Sequence, residues 1–204
     1  MSKKTNLKMY NTSTLEKASE DDNNGEHMTK SQLKVINFDS VGGKKYTRNN
    51  NLSIQLKTND VLFLHNDERY TFIEFKNGKL LDKSNRIDIK KLKDIELKIL
   101  NSMFVLGDIE EKSLNTLKEI TNYILVYNEE KNSPNEKNSI LEIGNYFVNQ
   151  GSSLSVGENT FDKDEIICFG LEKFIGYCFK NVHTYSKEEF EEKFVKKMEN
   201  RNIV

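Results

Sequence analysis

The chain has 204 residues, of which 36% are hydrophobic and 31% are charged, and its formal net charge is −1. This length suits one domain with a sizeable core, and the composition is too hydrophobic for a chain that is disordered throughout. A nearly neutral chain has no global positive field, so any binding of nucleic acid needs local basic patches.

The longest apolar stretch, near residues 99–106, is too short to span a bilayer, so we expect no membrane contact. No apolar segment follows the polar N-terminus. The two cysteines, Cys168 and Cys178, therefore indicate reduced thiols and a cytoplasmic protein.

Residues 1–30 are polar, and we expect them to form a mobile tail before a single domain of residues 31–204. In that domain the first strands are predicted at 33–39 and 52–56, on either side of a glycine-containing turn at 41–45. Two apolar runs, 60–65 and 70–76, predict a β-hairpin.

Apolar side chains at steps of three and four residues predict a helix over 88–107, which we expect to end at Gly107. A short helix at 113–120 and a fully apolar strand at 122–128 follow.

The last third of the chain predicts a helix at 136–150 and strand-like segments at 166–169 and 175–182. A capping-box pattern opens a final helix at 186–199. The whole order predicts an α/β (α+β) fold, in which helices flank a central mixed β-sheet.

The predicted hairpin brings together the charged residues that are best suited to catalysis or metal binding. Glu74 and Lys76 are two apart on one predicted strand and therefore share a face. Asp60 begins the partner strand. A loop of three or five residues places Asp60 on that same face, whereas a loop of two or four residues without a bulge places it on the other.

Two carboxylates on one face can hold Mg²⁺, a hard cation that prefers carboxylate oxygens and keeps several waters. Bound there, the metal polarises a phosphate oxygen and lowers the pKa of a water. Lys76 can orient that water and balance charge in the transition state.

The spacing of Asp60, Glu74 and Lys76 resembles the PD-(D/E)xK nuclease superfamily, which has the restriction-endonuclease-like fold. The resemblance covers residues 60–130 and implies that Asp60 and Glu74 are metal ligands and that Lys76 is the catalytic lysine. It also implies a restriction-endonuclease-like core, in which the helix at 88–107 and the strand at 122–128 follow the motif.

Two features depart from the family pattern. Asn59 stands where the family often has proline. The family often places a further acid on an upstream helix, and here the candidates are Glu16, Glu20 and Glu26. The superfamily also includes inactive members that act as binding scaffolds.

Basic residues follow the motif and could contact phosphates, each adding salt-dependent affinity. They are Lys79, Lys83, Arg86 and Lys90. Acids are interleaved with them, so a solvated helix face is the alternative interpretation.

Three other interpretations remain open at this point. The segment Ile73–Lys76 could be an ordinary half-exposed strand, with Asp60 capping a turn. The chain could be a non-catalytic binding protein, such as a phage-encoded inhibitor of host defence or a toxin-immunity protein. It could also form a homodimer through the aromatic segment of Phe169, Phe174, Tyr177 and Phe179.

Overall fold

The computed structural model describes residues 7, 12–21, 25–84, 86–132 and 166–201. Within these residues, six strands form one mixed sheet whose spatial order follows the chain. The strands are β1 (Thr12–Thr14), β2 (Lys34–Asn37), β3 (Val61–Leu64), β4 (Tyr70–Lys76), β5 (Thr121–Tyr127) and β6 (Asn181–Tyr185). Strands β1 to β4 pair antiparallel, whereas β4, β5 and β6 pair parallel.

Helices cover the sheet, and together with its mixed pairing they confirm the predicted α/β class. The α-helices are α1 (Leu15–Ala18), α2 (Thr47–Asn49), α3 (Ile89–Glu110), α4 (Leu114–Ile120), α5 (Lys187–Phe190) and α6 (Lys196–Arg201). A π-helical segment, Asp39–Tyr46, leads into α2, and another, Glu191–Val195, joins α5 to α6. A 3₁₀ turn spans Leu171–Phe174.

Each face of the sheet has its own hydrophobic core. On one face, Leu62, Phe72 and Leu125 pack with the inner stripe of α3 and with α4. On the other face, Val61, Ile73 and Val126 pack with the C-terminal helices. Because side chains alternate along a strand, each side chain of β3 and β4 lies on one or the other of these two faces of the sheet.

Helix α3 is the longest helix of the described chain, and its boundaries follow from its end residues. The Asp88 side chain accepts hydrogen bonds from the backbone N–H groups of Lys90 and Lys91, which caps the N-terminus. The helix runs past Gly107 and ends where Glu111 adopts a left-handed conformation (φ 54°). The predicted stop at Gly107 is therefore wrong by one turn.

The proposed separation of residues 1–30 from the domain is wrong for the described part of that segment. Strand β1 pairs with β2, with Ser13 opposite Val35. Leu15 and Met28 are buried in the core behind the sheet. The polar composition of the segment gave no sign that it packs against the sheet, because a few apolar residues are enough to attach it to the core.

Two predictions before the hairpin are also wrong. Residues 52–56 form no strand, because β2 pairs directly with β3 and leaves them outside the sheet. Leu52 and Ile54 are exposed. The predicted turn at 41–45 lies within the π-helical segment, where a side chain on Gly43 would meet the Leu56 carbonyl oxygen.

The C-terminal third is confirmed in part. Ser186 and Glu189 form the predicted capping box. Of the predicted strand-like segments, 166–169 is irregular and only the end of 175–182 enters β6. Phe169, Phe174 and Phe179 are buried in the core, which leaves Tyr177 as the exposed aromatic residue of that group.

The helix predicted at 136–150 lies outside the described residues. In the part of the chain that the structure describes, none of the helices is both long enough and apolar enough to cross a membrane.

Candidate active site

The hairpin register places Asp60 directly opposite Glu74. Val61 pairs with Ile73 and Leu64 with Tyr70, so five residues connect the strands and the next pair outward is Asp60 with Glu74. This is one of the two loop lengths that put both acids on one face. The Asp60 Oδ2 atom accepts a hydrogen bond from the backbone N–H of Phe75 at 2.8 Å, which fixes its carboxylate at the start of β3.

Glu74 is fully buried on the face of the sheet that α3 covers. Its Oε1 atom lies 2.8 Å from the Lys76 Nζ atom. Lys76 remains about a quarter exposed, so its ammonium group reaches the surface beside the buried acid. The structure therefore brings together all three residues that the sequence motif singled out.

A fourth residue, Lys98 of α3, completes the cluster. Its Nζ atom lies 2.6 Å from Glu74 Oε1 and 3.1 Å from Asp60 Oδ1. The Lys98 side chain is only 15% exposed. The site thus contains two carboxylates and two ammonium groups, with the Lys98 ammonium between the two acids.

Sequence reasoning missed Lys98, although the helix carried a signal. Asp94, Lys98 and Ser102 are spaced by four residues and therefore lie along one side of α3. This polar row borders the apolar stripe of Ile95 and Ile99, which is buried. A lysine at the border of a buried stripe faces the edge of the core, and in this protein the two acids of the site lie at that edge.

Burial and the negative charge of Glu74 raise the pKa of Asp60 to about 7, against the opposing effects of Lys98, Lys76 and the Phe75 hydrogen bond. Burial lowers the pKa of Lys98, but the charges of Glu74 and Asp60 outweigh it and raise that pKa above its usual value. The acids and the helix lysine therefore interact strongly, as groups that share a poorly solvated space do.

Several polar atoms around the cluster have no hydrogen-bond partner among the described residues. They include Glu74 Oε2, the Tyr123 hydroxyl group and both polar atoms of the Asn59 side-chain amide. All three residues are fully buried. Burial raises the pKa of Tyr123 well above its usual value, and the charges of Glu74 and Asp60 raise it further, which places this hydroxyl within electrostatic reach of both acids. Unsatisfied buried polar atoms are uncommon in native proteins, and a bound water or ion is one way to satisfy them.

The basic residues predicted to contact nucleic acid are all exposed but are not part of the buried cluster. Lys79, Lys83 and Arg86 lie on the segment between β4 and α3, where Arg86 pairs with Asp82 at 3.6 Å. Lys90 lies in the first turn of α3, about 12 Å before Lys98 along the helix axis.

The upstream acids make other contacts. Glu16 accepts a hydrogen bond from the Gln32 side chain, and Glu26 accepts one from Asn77. Glu20 lies at an isolated bridge opposite His27. Across the described ranges, no three His, Cys, Asp or Glu side chains gather closely enough to hold a metal ion. The acids that the structure brings together at the hairpin are the pair of Asp60 and Glu74.

Comparison with models of protein families, with curated proteins and with solved structures finds no match for this chain. The geometry of the cluster is therefore the basis of the functional argument.

Proposed function

We propose that this protein is a metal-dependent phosphodiesterase of the nuclease type, with Asp60 and Glu74 as metal ligands and Lys76 as the catalytic lysine. The observation that supports this best is the facing pair of Asp60 and Glu74, with Lys76 beside it at the surface. An ordinary half-exposed strand would turn Glu74 toward water, whereas this glutamate is fully buried.

The residues present fit a divalent cation. Glu74 Oε2 is buried and has no hydrogen-bond partner among the described residues, and Asp60 Oδ1 and Glu74 Oε1 both lie within reach of one cation, the Lys98 ammonium. Mg²⁺ is commonly held by one or two carboxylates, while waters and substrate phosphate supply its remaining ligands. When bound, the metal polarises a phosphate oxygen and lowers the pKa of a bound water.

The protein's own groups then have distinct tasks. Asp60 Oδ2 is held by the Phe75 N–H group, so the other oxygen, Oδ1, is fixed in position beside Lys98 before substrate arrives. Lys76 is anchored by Glu74 at 2.8 Å and is exposed enough to donate a hydrogen bond to a water or to a phosphate oxygen. A fixed cation at that point stabilises the charge that develops during phosphodiester cleavage.

The arrangement of elements supports the resemblance to the PD-(D/E)xK superfamily. The hairpin that holds the motif is followed by α3 and then by β5, which pairs parallel to β4 with Glu74 opposite Leu125. The exposed Lys79, Lys83, Arg86 and Lys90 provide local positive charge for a phosphate backbone. Cys168 and Cys178 are buried and reduced, which suits a reducing compartment, so we place the activity in the cytoplasm.

The proposal is tested with Glu74→Gln and Lys76→Met, which keep side-chain size and remove charge. With single- and double-stranded DNA and RNA and with Mg²⁺ or Mn²⁺, we expect each variant to lose about 100-fold or more of the wild-type cleavage rate. The controls are Glu188→Gln and Lys180→Met, which change the same residue types at exposed positions outside the site. Equal cleavage by the site variants and the wild type would refute the assignment.

A non-catalytic binding protein is the second candidate function. Two observations favour it: the Lys98 ammonium lies between the carboxylates, and Leu97, Leu100 and Phe104 form an exposed apolar row on α3. Apolar side chains clustered on a surface helix are typical of a protein interface. Wild-type protein that cuts no nucleic acid with any metal tested would favour this role.

A further inference from the structure

Lys98 contacts the same oxygen atoms that a metal at this site needs. Its Nζ atom lies 2.6 Å from Glu74 Oε1 and 3.1 Å from Asp60 Oδ1. Mg²⁺ binds such oxygens at about 2.0–2.1 Å. A divalent ion on both oxygens would therefore stand next to the ammonium, and the two positive charges would repel each other across a poorly solvated space.

The position of Lys98 explains how two facing acids tolerate burial before a metal arrives. Like charges placed opposite each other on neighbouring strands destabilise a sheet. The Lys98 ammonium neutralises this repulsion from the helix side, and Lys76 contributes from the surface side. The charge of the cluster is thus balanced within the protein itself.

We propose that Lys98 is the resident cation of the metal-free site and competes directly with the divalent metal for Asp60 and Glu74. Entry of the metal then requires the Lys98 side chain to leave the acid pair, so Lys98 lowers the metal affinity of the site. The proposal rests on the proposed function for the identity of the competing ion. Lys98 is in this sense a positioning residue that regulates loading of the site.

The experiment measures Mn²⁺ binding by calorimetry, because Mn²⁺ takes the same oxygen ligands as Mg²⁺. Lys98→Met is compared with the wild type and with Lys91→Met. Lys91 lies on the same helix, and its ammonium contacts the Lys79 carbonyl oxygen and Asp88 rather than the site. We expect Lys98→Met to bind Mn²⁺ at least about tenfold more tightly than the wild type, and Lys91→Met to match the wild type.

Lys98→Gln provides a second variant in case the methionine variant does not fold. It keeps a hydrogen-bond donor for Glu74 and removes the charge, and we expect the same direction of change. Unchanged or weaker Mn²⁺ binding by a folded Lys98 variant would overturn the proposal.

The same titrations separate this proposal from the proposed function. If the wild type binds Mn²⁺ and cuts nucleic acid but the Lys98 variants bind no more tightly, only the competition is refuted. If the variants bind Mn²⁺ and the wild type does not, Lys98 is a permanent substitute for the metal, which supports the competition and refutes the catalytic role. If none of them binds Mn²⁺, both are refuted.

Discussion

Glu74 is buried and Lys98 is largely buried, and their contact is short, but such a pair stabilises a fold no more than well-packed apolar side chains would. Taking two charges out of water costs several kcal/mol for each ion, and their attraction recovers this only when the geometry is good. Glu74 Oε2 has no partner among the described residues, so part of that cost is uncompensated. Such a group in a core indicates that function, rather than stability, keeps it there.

The first prediction concerns the coupling between these two side chains. Lys98→Met alone should lower the free energy of unfolding by about 3 kcal/mol, because the buried Glu74 and the partly exposed Asp60 lose their shared cation. Adding Glu74→Gln should restore part of that loss. Urea denaturation of the wild type, both single variants and the double variant, without metal, measures the coupling. Additive effects would contradict it.

At the residue scale, the sequence spacing was sufficient to find Asp60, Glu74 and Lys76, because the period of a strand determines which side chains share a face. The sequence could not decide between the possible loop lengths of the hairpin. The structure has five residues between the two strands. Lys98 lies on α3, 24 positions after Glu74 in the sequence. The periodicity of a strand does not show which helix residue will lie above the sheet.

At the scale of elements, α3 is positioned over the site by a hydrogen bond to the segment before β3. The backbone N–H group of Asn59 donates to the Ser102 Oγ atom at 2.8 Å, and both residues are fully buried. Ser102 is one turn beyond Lys98 on the same side of the helix. This bond therefore connects the helix that holds the cation to the residue next to Asp60.

The second prediction tests this connection. Ser102→Ala leaves the Asn59 N–H group buried without an acceptor and should lower the free energy of unfolding by about 2 kcal/mol. Asn101→Ala is the matched control, because its side chain donates to the Lys57 carbonyl oxygen at an exposed position. We expect a loss below about 1 kcal/mol for the control in urea denaturation. Equal losses of unfolding free energy in the two variants would show that the buried hydrogen bond contributes no more than the exposed one.

Long, strongly periodic elements were predicted well, whereas the predictions for short segments were right in some places and wrong in others. Helix α3 and strand β5 contain enough apolar residues in register to define their type. Residues 52–56 alternate as a strand does, but the direct pairing of β2 with β3 excludes them from the sheet. The segment around Gly42 and Gly43 was predicted as a turn from its composition, whereas it is π-helical and packs so closely against Phe38 and Leu56 that a side chain at either glycine would be crowded.

At the scale of the whole molecule, the sheet separates two layers with different roles. The layer under α3 contains the charged cluster, whereas the opposite layer holds a second hydrophobic cluster that packs against the C-terminal helices. The mixed α/β class followed from the order of elements, but the participation of β1 did not. A three-residue strand has too little pattern to be distinguished from a polar tail.

The third prediction concerns the stability of the fold in acid. Burial lowers the pKa of His65, and the charge of Arg69 lowers it further. Its neutral form is thus favoured in the folded state, so the unfolded chain takes up the proton first and stability falls as pH decreases through about 6.5. Between pH 8 and pH 5, His65→Gln should lose less stability than the wild type. The exposed His27→Gln variant should behave as the wild type does.

The two buried cysteines also give the protein a chemical probe of its own opening. Cys168 and Cys178 both belong to the core under α3, and burial raises the pKa of Cys178 to about 11. A buried thiol with a raised pKa reacts with a disulfide reagent only when its layer opens. The labelling rate of the native protein therefore reports how often the layer that contains the charged cluster separates from the sheet, without any engineered label.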